Sequence, residues 1–160
     1  MSDERPILFA TDGSPSAEDA QKMALELAQR LDAPLLVVSV AHPAYPAGSY
    51  AGYGYANVVT EMMEAEHTRV RDLLAAAADR AEAEHVHCTT VEADGRPAVD
   101  AICRQASESG AQLIVVGSHG WGAARRLFSG SVSTGLVHSA PCPVLVVRSS
   151  HHVEEHAVAA

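Results

Sequence analysis

Lysine is almost missing from this chain: Lys22 is the only one in 160 residues. A phosphate loop of the G-x4-G-K-[ST] type is thereby excluded, because its lysine must sit beside the glycines and Lys22 lies far from them. The G-x-G-x2-G fingerprint of dinucleotide-binding turns is absent too. Basic residues are scarce overall, eleven against twenty acidic ones for a formal charge of -9. That balance disfavours nucleic acid or an anionic membrane surface as a partner, so any bound phosphate must be held locally against the global field. Cysteine is limited to Cys88, Cys103 and Cys142, an odd number, widely spaced and without a C-x-x-C pair. Neither a disulfide framework nor a zinc knuckle is indicated, and reduced thiols are expected. No stretch approaches the roughly 18 apolar residues of a membrane span. The opening MSDERPILFATDGS lacks the basic start and longer apolar core of a secretory signal. A soluble, cytoplasmic protein is expected, with no nucleic acid partner and no membrane insertion.

What is present suits one domain, since 48% apolar and 19% charged residues suffice for a sizeable core. Five short, mostly β-branched runs recur: ILFA (7–10), PLLVVSV (34–40), VHCTTVE (86–92), QLIVVG (112–117) and PVLVV (143–147). Helical spacing fills the gaps between them. Ala20, Ala24, Leu27 and Leu31 share one face after a start at Ser14, Pro15 and Ser16. Val59, Met63, Val70, Leu74 and Ala77 do so between about Asn57 and Glu84, Ala98, Ile102 and Ala106 after Pro97, and Val132, Leu136 and Ala140 before Pro141. Strict β-α alternation predicts an α/β fold, a five-stranded parallel sheet with helices on both faces. Right-handed crossovers then require the chain to start mid-sheet and reverse once, giving the strand order 3-2-1-4-5.

In such sheets a ligand binds beyond the carboxyl ends of the strands that flank the reversal, here the first and the fourth. Those ends read TDGS (11–14) and GSHG (117–120). After the second of them, Gly130 and Ser131 open the last helix. Glycines admit backbone N–H groups to an anion and a helix N-terminus adds a favourable dipole, so two separately noticed motifs converge on one phosphate-binding crevice.

On these residues the chain resembles the universal stress protein family over about residues 5–148. The signature of the ATP-binding branch, G-x2-G-x9-G-[ST], is filled by Gly117, Gly120, Gly130 and Ser131, and the early DGS at Asp12 to Ser14 also matches. The resemblance implies a Rossmann-like fold of the adenine nucleotide alpha hydrolase type, with the domain over 1–148 and a flexible tail over 149–160. It implies ATP with Mg2+ as the ligand. Ala10, Thr11 and Asp12 would line the ribose and metal side, and Asp12 is the candidate for ordering the metal. Val40 would offer backbone groups to adenine. Gly117, His119 and Gly120 would border ribose and phosphates, while Gly130, Ser131, Val132 and Ser133 would hold the phosphate tail. A regulatory or protective role in stress, through nucleotide-dependent dimer or partner contacts, is the implied function. The alternative is a slow ATPase or an autophosphorylating phosphotransferase. Against rapid turnover, no positioned lysine and no evident base aimed at water are visible.

Other features have plainer readings. Residues 42–56, with all four tyrosines, read as a long loop. Asp12 has the alternative role of capping its own turn, and Ser131 and Ser133 that of satisfying amides of their own helix. His67 reads as a packing residue. His85 and His87 alternate onto one strand face near Cys88, and His151, His152 and His156 sit in the tail, but no set has metal-ligand spacing. Arg125 and Arg126 are as well explained by a solvated loop as by phosphate contact, and Trp121 and Phe128 as anchors of that loop. The strand at 143–147 lies at the sheet edge in the expected order. An unpaired apolar edge invites another chain, and family members commonly dimerise there, so a homodimer is expected.

Overall fold

In the computed structural model, residues 5–41, 55–94, 97–118 and 130–149 are described. The first strand, β1 (Ile7–Ala10), is buried along its whole length and divides its side chains between two cores. Ile7 and Phe9 enter one, Leu8 and Ala10 the other, as the two-residue period of a strand requires. A strand can be apolar on both faces only when both are covered, and here helices cover both.

β1 lies at the centre of a parallel sheet. β2 (Leu35–Val40) pairs on one side with Ile7 opposite Leu35, and β4 (Leu113–Gly117) on the other with Ile7 opposite Leu113. β3 (Cys88–Ala93) extends the sheet beyond β2, and β5 (Val144–Val147) beyond β4, giving the order β3-β2-β1-β4-β5. The expected order is therefore the observed one, with strand ends differing by one or two residues.

α1 (Pro15–Leu31) and α2 (Tyr55–Ala83) cover the face that carries Ile7, Phe9, Leu35, Val37 and Val115. α3 (Ala98–Ser109) and α4 (Ser131–Ser139) cover the face of Leu8, Leu36, Val38, Ile114 and Val116. On α1 the buried stripe differs from the expected one. Ala17, Ala20, Ala24 and Ala28 face the sheet, while Leu31 is exposed. Alanines let the helix lie close against the strands, and that close approach selects them over the larger leucine further along.

α1 and α3 both end on a left-handed residue, Asp32 (φ 49°) and Gly110 (φ 65°), and the chain then turns directly into the next strand. α2 begins two residues earlier than expected, at Tyr55, so the predicted loop yields its last two residues to the helix. The rest of that loop and the tail beyond 149 lie outside the described residues. His85 and His87 do not share a strand face. His85 sits in the turn after α2 with φ 58°, and β3 starts only at Cys88. The turn takes this form because the Val86 N–H returns to the Ala81 carbonyl and so closes α2. No helix among the described residues is long and apolar enough to cross a membrane.

Candidate functional site

The chain leaves β1 through an extra rung of the sheet, the Thr11 N–H donating to the Val38 carbonyl at 2.9 Å. It then turns sharply. Asp12 Oδ1 accepts the Ser14 N–H at 2.9 Å, and Thr11 Oγ1 accepts the Gly13 N–H at 3.2 Å. Short polar side chains bonded to the backbone two residues on are what fold this loop. Gly13 has φ 76°, a conformation few other residues adopt without strain, and a Cβ there would also press on Leu73 of α2. Ser14 is the N-cap of α1 and Pro15 its first residue; both Ser14 and Ser16 are buried. Asp12 thus performs the turn-capping role, which leaves its carboxylate at the tip of β1.

At the end of β4, Gly117 makes the approach of α1 possible. A Cβ on Gly117 would stand 2.8 Å from Ser16 Oγ and 2.9 Å from the carbonyl carbon and oxygen of Ser16, so only glycine fits without displacement. The next residue joins three elements. The Ser118 N–H donates to the Val147 carbonyl at 2.8 Å, and the Ser118 carbonyl accepts the Gly130 N–H at 2.8 Å. The fold therefore brings the end of β1, the first turn of α1, the end of β4 and the start of α4 to one place. The carboxyl tips of β1 and β4 are neighbours, with Ala10 opposite Val116 in register.

Gly130 is the N-cap of α4 and brings no side chain to cap it. Besides phosphate contact, the serines have the alternative role of satisfying amides of their own helix, and the Ser133 hydroxyl instead donates to carbonyls. Ser133 Oγ is buried and donates to the Gly130 carbonyl at 3.0 Å and the Ser118 carbonyl at 3.4 Å. Its hydroxyl pins α4 to β4. Ser131 is exposed at the first helical position. Val132 is half-buried against the core, and Ala10 and Val40 are buried on the α3–α4 face, so for all three only the backbone faces the end of the sheet. His119, Gly120, Trp121, Arg125, Arg126 and Phe128 lie outside the described residues, as do His151, His152 and His156.

Arg69, on α2, belongs to no motif of the sequence yet reaches this loop. Its Nη1 donates to the Asp12 carbonyl at 3.3 Å while Nε and Nη2 reach Glu66 at 2.8 Å. The hydrogen bond with Glu66, set against partial burial, and the charges of Glu66 and Asp12 hold its guanidinium above the usual pKa. A fixed cation therefore stands beside the β1 loop. It was hidden because 57 positions separate it from Asp12. Ser39, just before Val40, is likewise unforeseen: its hydroxyl is buried without a hydrogen-bond partner among the described residues. His67, read as packing, instead pairs through Nδ1 with Glu92 of β3, because Glu92 points from the sheet toward α2. Among the described residues no group of three or more His, Cys, Asp or Glu side chains could hold a metal ion.

The donor set fits a polyphosphate in kind. The amides it can offer are those of the first turn of α4, since the first turn of a helix has N–H groups without intrahelical partners, whereas the Gly13, Ser14, Ser118 and Gly130 amides are engaged within the fold. Comparison with known proteins agrees with this architecture. The model of the universal stress protein family matches residues 4–148. A universal stress protein of Thermus aquaticus is 37% identical over 146 residues, covering 90% of this chain and 98% of its own. The solved universal stress protein UspA of Lactobacillus plantarum superimposes with a TM-score of 0.78 at 26% identity, over 91% of this chain and 98% of its own. A universal stress protein solved in complex with cAMP superimposes with a TM-score of 0.66 at 29% identity, over 91% and 98%.

Proposed function

The chain belongs to the universal stress protein family, and from that premise we propose that it binds ATP, with Mg2+, in the crevice between the ends of β1 and β4. The observation that supports this reading best is the junction at Gly117 and Ser118, where two helix N-termini and two strand ends meet and Ser16 packs directly on the glycine. A nucleotide ligand is in keeping with the cAMP complex of a family member 29% identical to this chain. ATP itself is favoured by the signature Gly117, Gly120, Gly130 and Ser131.

In this reading the Gly130, Ser131, Val132 and Ser133 segment takes the phosphate tail, its backbone amides supplying the charge compensation that no lysine offers. Gly117, His119 and Gly120 border the ribose and phosphates. Ala10 and Thr11 line the ribose, Val40 presents its backbone to adenine, and Asp12 orders the metal. When bound, Mg2+ neutralises part of the phosphate charge. The role is regulatory: occupancy stabilises the protein and a homodimer formed through β5, whose residues are all half-buried at the sheet edge. The site is cytoplasmic and its partner protein is to be found by the chemistry of that surface.

The test is to denature the purified protein and identify the nucleotide released, followed by calorimetry with Mg-ATP. Stoichiometric ATP supports the reading. Absence of released nucleotide together with no calorimetric binding refutes it. Single-turnover measurement then separates the regulatory protein from the slow ATPase or phosphotransferase: bound ATP that survives for hours excludes the enzyme.

A further inference from the structure

We propose that Cys103 and Cys142 form a thiol pair that peroxide converts to an intramolecular disulfide, stapling α3 to the segment that leads into the edge strand β5. The geometry comes from how α3 and α4 pack. A Cβ on Gly135 of α4 would stand 2.6 Å from Val99 Cγ2, so the two helices touch there. Cys103 lies one turn beyond Val99 on the same face of α3. Both helices run from the carboxyl end of the sheet to its amino end, so one turn beyond Gly135 brings α4 to its last residue, Ser139, level with Cys103, and Cys142 follows three residues on, before β5. Cys103, Ala140 and Cys142 all pack, half-buried, on the same core cluster.

The backbone around Cys142 is held on both sides. Pro141 and Pro143 fix their own φ angles, and the Pro143 carbonyl accepts the Ile114 N–H at 2.9 Å. Charges on the two thiolates would repel. Burial pushes both thiols up, Cys103 additionally by Asp100 and Cys142 by the neighbouring Cys103. The pair thus stays protonated and reduced at neutral pH, and its oxidation requires a sustained peroxide load.

Oxidation runs in two steps. One thiol releases its proton, its thiolate attacks a peroxide oxygen, the O–O bond breaks to give a sulfenic acid, and the departing hydroxide takes up the released proton as water. The second thiol then attacks that sulfur, the S–S bond forms and a second water leaves. Two thiols lose two electrons in all and one hydrogen peroxide is reduced to two waters.

The experiment treats the full chain, and a Cys88→Ser variant that keeps only this pair, with hydrogen peroxide. Expected are the loss of both thiols in Cys88→Ser, a monomer mass lower by two hydrogens, reversal by dithiothreitol, and a higher Tm for the oxidised form. Digestion of the unsubstituted protein with trypsin and a glutamate-specific protease, which cuts between Cys88 and Cys103, should yield the Cys103 and Cys142 peptides joined. This mapping needs no substitution to fold. Sulfinic acid at either cysteine without cross-linking, disulfides only between chains, or two thiols unchanged would each overturn the proposal.

Discussion

Replacing Gly117 by alanine tests the junction directly. Gly117 has an extended backbone that any residue can adopt, so alanine incurs no conformational strain and even gains about 0.5–1 kcal/mol by restricting the unfolded chain. Against this stands the added methyl, 2.8–2.9 Å from three atoms of Ser16, two of them backbone. Backbone cannot rotate aside as a flexible side chain can, so relief requires α1 to move by roughly half an ångström from β4. Overpacking of this kind costs about 1–3 kcal/mol, and set against the gain it leaves a net loss centred at about 1 kcal/mol and reaching about 2.5 kcal/mol. For a domain of this size the central value is a fall in Tm of about 2–4 °C. The same displacement pulls on the Asp12–Ser14 turn, so nucleotide affinity should fall with it. Gly110→Ala provides the comparison. Nothing stands within 4 Å of its added methyl, but φ 65° costs about 1–2 kcal/mol, so stability drops similarly while nucleotide affinity holds. Urea denaturation and calorimetry on both variants decide the matter. A Gly117→Ala protein with unchanged Tm and unchanged affinity would refute the reasoning.

Asp12→Ala removes the acceptor of the Ser14 N–H and should destabilise by about 1 kcal/mol in urea, with weaker Mg-ATP binding by calorimetry. Gly135→Ala should destabilise despite alanine's better helix propensity, because Val99 Cγ2 is 2.6 Å away and β-branched; Val99→Ala in the same chain should restore much of the loss, measured as a double-mutant cycle. Burial pushes the Cys88 thiol up, so iodoacetamide should modify it more slowly than free cysteine near neutral pH and faster as pH rises. Because the folded thiol holds its proton longer than the unfolded one, its contribution to stability is complete below the ordinary thiol pKa and is lost as pH rises from there through the raised folded value, which urea titrations at increasing pH would record.

Much of the fold was legible because the forces that make it are periodic. Alternating side chains in ILFA and LIVVG, buried on both faces, announce strands covered from both sides, and the crossover rule narrows them to orders that start mid-sheet and reverse once, of which 3-2-1-4-5 is the one observed. From that order the meeting of Thr11 to Ser14 with Gly117 followed before any coordinates. Helix faces were read less well. Leu31 was placed inward on spacing alone, whereas the closeness of α1 to the sheet selects the alanines.

What the sequence by itself determined is therefore the strands, the cover on both their faces and a chain that starts mid-sheet and reverses once, because a two-residue period and the handedness of a crossover are local properties of the chain. Only the tertiary structure decided which partners those residues take. Arg69 reaches Asp12 across 57 positions, Ser133 shares its hydroxyl between Gly130 at the start of its own helix and Ser118 beyond β4, and His67 finds Glu92 across the α2–β3 packing. Hydrogen bonds and charge pairs between distant positions depend on the distances that packing sets, and no pattern along the chain encodes those distances.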